Sequence, residues 1–182
     1  MQTTIIRKES IKPNTWDGGE TFEYFIYPPT ASYANRDFLF RISSASITKI
    51  PSNFTKFDNY QRFLVMLDND LEINRNGQKE VYTQDKVFKF ASNDDITSYS
   101  LGNDFNLMVG KDVKKSEVFF PKDTVQLSQA FIFVFAKEDT ILSVNEKDVS
   151  LNSQDLLLIE NMEQTAVTLK SLNDILMGYV VI

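Results

Sequence analysis

The hydrophobic runs of this 182-residue chain are short and mostly alternate with a period of two, whereas helical spacing is weak throughout. Phe38–Ile47, read FLFRISSASI, is the most informative of them. As a strand it places Phe38, Phe40 and Ile42 on one face, and Leu39, Arg41, Ser43, Ala45 and Ile47 on the other. Both faces are largely apolar, so the pattern predicts a strand covered on both sides. A guanidinium there is costly unless it meets a partner or a ligand. Arg41 is therefore the residue that needs a reason.

Further strands are predicted at Glu23–Tyr27, Gln61–Leu67, Leu71–Phe90, Ile96–Leu101 and Asp104–Val109. Asn76-Gly77 marks a hairpin within Leu71–Phe90, Gly102-Asn103 is expected to turn between the last two, and Asn14–Gly19 (NTWDGG) reads as a tight turn. Pro28 and Pro29 open the loop that leads to Asp37. After Gly110 the charged stretch KDVKKSE predicts a connection between halves, with Lys111, Lys114 and Lys115 solvated. Beyond it, strands are predicted at Ala130–Ala136, Ile141–Val144, Val149–Leu151, Leu156–Glu160, Ala166–Leu169 and Leu176–Ile182.

An offset of seventy positions relates the two halves. It matches Thr83-Gln84-Asp85 to Ser153-Gln154-Asp155, Phe63 to Phe133 and Pro51 to Pro121. The order of strands and turns carries this better than the identities, and it predicts two copies of one β unit, residues 1–112 and 113–182. In that register Arg62 faces Ile132 and Asn106 faces Leu176. Polar groups of the first copy thus meet apolar ones in the second, which predicts one pocket, in the N-terminal unit, with the C-terminal half as a packed support.

Composition narrows the chemistry. The chain has no cysteine, hence no disulfide, thiolate nucleophile or zinc–cysteine site, and no histidine, which removes His triads and His-ligated metal centres. A net charge of -6 without a basic run argues against nucleic acid or an anionic membrane as partner. No apolar stretch is long enough for a signal peptide or a membrane span, so a cytoplasmic protein is expected. Fifteen phenylalanines point to an aromatic interior.

Two groups of residues are candidates for a site. Asp104, Asn106 and Met108 share one strand face, and a barrel would bring Asp104 and Asn106 near Arg41, Ser43 and Arg62, where two guanidinium groups suit a carboxylate. Trp16, Thr21 and Glu23 form the second group, Trp16 covering the mouth and Glu23 pairing an arginine. Each has an ordinary alternative: a half-exposed strand, a structural ion pair, a packing tryptophan. The acidic pairs Asp68/Asp70, Asp94/Asp95 and Glu138/Asp139 read as solvated turns. No P-loop, GxSxG or GxGxxG motif is present.

The segments WDGGETFE (Trp16–Glu23), Tyr27-Pro28-Pro29, FLFRISSA (Phe38–Ala45), the phenylalanine turn Phe54–Phe57, Arg62 with its strand, and DFNLM (Asp104–Met108) together resemble the HutD/Ves family of small bacterial bicupins. The likeness covers most of residues 5–110, and from about 115 onward it rests on strand pattern. Where the family has a third glycine and a proline–glycine pair, this chain has Glu20 and Asp58-Asn59. The resemblance implies an all-β fold, a cupin-like double-stranded β-helix in two units, without a metal or other cofactor. It also implies a small-molecule-binding modulator associated with histidine utilisation or stress responses. The expected partner is a small anionic metabolite, and a homodimer is left open. Two rival readings stand beside this one. The first is a metal-independent enzyme acting on a small acid, with Glu23 or Asp104 as general base. The other is a structural barrel in which Arg41 only satisfies Glu23 or Asp104.

Overall fold

The computed structural model describes residues 1–171 and 173–182. Among them the regular secondary structure is all strand apart from a single 3-10 turn, Lys8–Ser10, and no helix is long and apolar enough to cross a membrane. It divides into two compact units, one made of residues 11–112 and the other of residues 1–10 with 113–182.

The 11–112 unit is a sandwich of two antiparallel sheets. The six-stranded sheet runs in the order Asn14–Trp16, Gly19–Tyr27, Phe40–Ile47, Gly102–Gly110, Tyr60–Met66, Phe88–Ala91. The four-stranded sheet runs Ser52–Asn53, Ile96–Ser98, Leu71–Arg75, Gln78–Tyr82. Alternation along each strand supplies the packing: Leu64, Met66, Phe88 and Phe90 from the first sheet meet Leu71, Ile73 and Ile96 from the second. The Asn76-Gly77 hairpin forms as expected, with both residues at positive φ (51° and 88°) as a two-residue turn between right-twisted strands requires.

The second unit repeats this arrangement. Lys115–Phe119, Ile175–Val181, Phe131–Ala136 and Leu156–Glu160 stand in the order of Phe40–Ile47, Gly102–Gly110, Tyr60–Met66 and Phe88–Ala91, and the four-stranded sheets correspond strand for strand. Eight strands therefore recur in the same order. The ends differ: Gln2–Ile6 pairs with Leu156–Glu160 in the second unit, while Asn14–Trp16 and Gly19–Tyr27 extend the first. Apolar side chains including Ile132, Val134, Leu142, Leu169, Ile175 and Met177 fill the second interior.

Four expectations change. Residues 1–10, assigned by the sequence to the first half, lie with 113–182. There Asp155 accepts hydrogen bonds from Arg7 Nη1 (2.5 Å) and the Lys8 backbone N–H (3.0 Å). Gly102 and Asn103 do not turn; they open a strand paired with Ile47 and Ser46, and Gly102 takes φ 115° beside the Asp68 carboxylate. Lys115 begins a strand, because its neighbours pair with Ile175–Val181 whatever their charge. Finally, face parity in the paired strands aligns Asn106 with Met177, not Leu176: Asn106 lies opposite Leu64, and Met177 opposite Val134. A one-residue slip inverts the face, so a fixed offset cannot hold through the last strand.

Candidate functional site

One cavity of about 480 Å³ lies within the 11–112 unit, lined by Arg41, Ser43, Ala45, Arg62, Asp104 and Asn106 on the six-stranded sheet and by Ser52, Asn53, Phe54 and Thr55 opposite. Cross-strand register explains why the polar set converges. Asp104 pairs with Ala45, Asn106 with Ser43, and Met108 with both Arg41 and Arg62. Directly opposed residues of an antiparallel pair share a face, so the polar positions of three adjacent strands fall on the same side. The other face carries Phe40, Ile42, Phe105 and Leu107, all fully buried.

Glu23 joins this face through an irregularity in its strand. The pairing shifts between Glu23 and Phe25, so Glu23 stands opposite Ser43 while Phe25 stands opposite Ile42. Glu23 does not line the cavity; its Oε2 accepts from Arg41 Nε at 2.6 Å, and Arg41 Nη1 donates to Ser43 Oγ at 3.0 Å. The Tyr33 ring lies under the Arg41 guanidinium, 4.5 Å from it. Arg41 is thus held by a carboxylate, a hydroxyl and an aromatic face.

Arg62 is held differently. Its guanidinium lies 5.5 and 5.6 Å from the Phe54 and Phe90 rings, and its buried Nε has no hydrogen-bond partner among the described residues. Burial pushes this guanidinium below its ordinary value, with Tyr33 and Asp104 opposing that shift and Arg41 adding to it. An arginine stays cationic even so. The unit therefore holds a half-buried guanidinium with a buried, unpaired Nε and no direct ion pair among the described residues.

Asp104 is buried at 2% exposure. Its Oδ1 accepts from the Ala45 backbone N–H at 3.1 Å and from Asn106 Nδ2 at 2.5 Å. Burial pushes its carboxyl up to about 7, against the lowering effects of Arg62, Ala45 and Asn106. Asn106 Oδ1 and Ser52 Oγ are buried and unpaired.

At the rim, Trp16 is 40% exposed and its indole N–H donates to Thr21 Oγ1 at 3.1 Å. The Asp17-Gly18 turn that returns the chain depends on its glycines. A side chain at Gly18 would meet the Trp16 ring, and one at Gly19, where φ is 153°, would meet the Ser46 carbonyl oxygen. Trp16 and Thr21 both line the cavity.

Of the eight residues singled out from sequence, seven line this cavity and Glu23 stands behind Arg41. Sequence reasoning missed Tyr33, Ala34 and the segment Ser52–Thr55. Tyr33 sits in a loop without periodicity, and Ser52–Asn53 is a two-residue strand too short to show any. The acids expected to be solvated are also partly engaged: Asp68 accepts from Asn103 N and Nδ2, and Asp94 from Arg75 Nε. No group of three or more Asp or Glu side chains positioned to hold a metal ion occurs among the described residues.

The family model for HutD matches residues 8–177. No curated protein matches the chain. Among solved structures it is similar to a conserved protein of unknown function from Pseudomonas aeruginosa PAO1, at 18% identity and TM-score 0.84 over 100% of both chains. HutD from Pseudomonas fluorescens SBW25 is similar at 16% identity and TM-score 0.82, over 99% of this chain and 98% of that one. The bacterial pirin YhhW from Escherichia coli, solved in complex with nickel(II), follows at 10% identity and TM-score 0.65 over 100% of both. At these identities the likeness shows the fold, which cupin barrel proteins share.

Proposed function

The chain belongs to the HutD family, and from that premise we propose that this cupin-type protein binds a small carboxylate in the cavity of residues 11–112 and modulates that metabolite's pathway through occupancy. The observation that carries the reading is Arg62, a half-buried cation on the cavity wall whose buried Nε has no partner among the described residues. Burying a charge without a partner is costly, and an anion entering the cavity would supply one. Arg41 reinforces the positive field, although Glu23 already engages it. A carboxylate intermediate of histidine breakdown is a chemically sensible occupant. Calorimetric titration of the full chain with a panel of small carboxylates, with Arg62→Met as control, tests this. Binding that survives the substitution refutes the assignment of Arg62, and a panel without any binder refutes the reading itself.

Asp104 favours a second reading. A carboxyl pushed up to about 7 and lining a cavity can take and return a proton near neutral pH. Turnover of a small acid in the presence of a chelator, lost in Asp104→Asn, would establish a metal-independent enzyme.

A further inference from the structure

A carboxylate accepts hydrogen bonds and donates none, yet the cavity wall offers an acceptor as well as donors. Asn106 is 5% exposed, its Nδ2 donates to Asp104 Oδ1, and its own Oδ1 is buried without a donor. Chemistry fixes the orientation of this amide. Asp104 Oδ1 already accepts the Ala45 backbone N–H, the role of a carboxylate or carbonyl-type oxygen, and with Oδ1 in that role the NH2 end of Asn106 faces it. The acceptor end is left over.

The sheet does not itself require an amide at this place. In the second unit the corresponding position is Met177, fully buried in an apolar core. On the facing wall Ser52 Oγ is likewise buried and unpaired, so both sides of the cavity hold polar atoms that the protein leaves unmatched. A water bound there would be displaced by an incoming ligand, and a ligand that could not replace its O–H would lose affinity.

Resting on the carboxylate reading above, we infer that the ligand carries its own hydrogen-bond donor, a hydroxyl or N–H near its carboxylate, and that Asn106 selects for it. Arg62 Nε meets the anion, Asn106 Oδ1 accepts from the donor, and Ser52 Oγ serves either partner. A plain mono- or dicarboxylate of the same size would leave the Asn106 acceptor buried and unmet, the situation in which polar sites discriminate most strongly.

Matched acids test this by calorimetry on the full chain: propionate against lactate, succinate against malate, and glutarate against 2-hydroxyglutarate and glutamate. The donor-bearing member of at least one pair is expected to bind roughly tenfold tighter. Asn106→Met, which copies the second unit, is expected to erase the difference. If that variant does not fold, 2-methoxysuccinate gives the same answer with the unaltered protein, because it keeps the bulk of malate without its O–H and should bind like succinate. Plain acids binding as tightly as their partners, a preference that survives Asn106→Met, or methoxysuccinate matching malate overturns the inference and leaves the carboxylate reading standing. Failure of every acid to bind defeats both.

Discussion

Arg41 and Arg62 lie on one cross-strand row, each paired in register with Met108 between them, but only Arg41 meets a carboxylate. Two cations on neighbouring strands would ordinarily repel, and here one is neutralised while the other is left for something else. This asymmetry predicts opposite responses to mutation. Arg62→Met exchanges a half-buried charge without an ion pair for an apolar chain of similar length. It should leave the protein as stable or up to about 2 kcal/mol more stable, while weakening carboxylate binding at least tenfold. Thermal unfolding and calorimetry on the same variant check both halves, and a clear loss of stability would show that Arg62 is structural.

Glu23→Ala should do the reverse. It strips the partner from a nearly buried guanidinium. Because the Glu23 side chain is 31% exposed, solvent reaches Arg41 and the cost should be about 1–2 kcal/mol, less than for a fully buried pair. Chemical denaturation measures it. Glu23→Gln, which keeps an acceptor near Arg41 Nε, should recover part of the loss.

Asp104 gives the protein a signature in pH. Its carboxyl is pushed up from 3.8 to about 7 in the fold, so between those values the folded state holds a proton that the unfolded chain has released. The associated stability is fully present below 3.8 and disappears as pH rises through about 7, a change on the order of a few kcal/mol. Measured against Asp104→Asn, the wild type should therefore lose stability steadily across that window. A flat difference would contradict the shift. Carboxylate affinity should weaken over the same upper range, because ionised Asp104 competes for the field of Arg62.

Trp16 is the sole tryptophan and lines the cavity. Its emission should change on titration with any ligand that enters, and the change should saturate with the calorimetric constant. Trp16→Phe should abolish the optical signal and weaken binding only a few-fold, since the side chain is 40% exposed. A silent tryptophan during measurable binding would place the ligand elsewhere.

Asp155, 2% exposed, gathers Arg7 Nη1, the Lys8 N–H and the Asn152 N–H. Asp155→Ala removes all three and should destabilise the chain by about 2–4 kcal/mol. Hydrogen exchange should show amides of Gln2–Ile6 opening first.

Much of the site was legible because a charge on an apolar strand face is conspicuous. Arg41 interrupts a strand apolar on both faces, Asp104 and Asn106 share the polar face of an alternating strand, and these face assignments survive folding because directly opposed strand residues share a face. Gly102-Asn103 misled because turn propensity is local, while pairing with Ile47 and Ser46 is decided by tertiary contact. Tyr33, which reaches Arg41 from a loop, and Ser52, from a two-residue strand, carry no periodic signal. Met177 was displaced by one position because the two copies differ in loop length, which a single offset does not register.

The route of the chain through its two units bears on how the protein can be dissected. The cavity and every residue around it belong to one unbroken stretch, 11–112, spliced into a partner whose own sequence is split on either side. A single cut between the halves would orphan the strand Gln2–Ile6 and bare the backbone edge of Leu156–Glu160, an invitation to aggregate. A clean excision needs two cuts, after Ser10 and before Val113, with the flanking pieces rejoined by a linker long enough to cross the sheet, because Gln2–Ile6 and Lys115–Phe119 are its opposite edges.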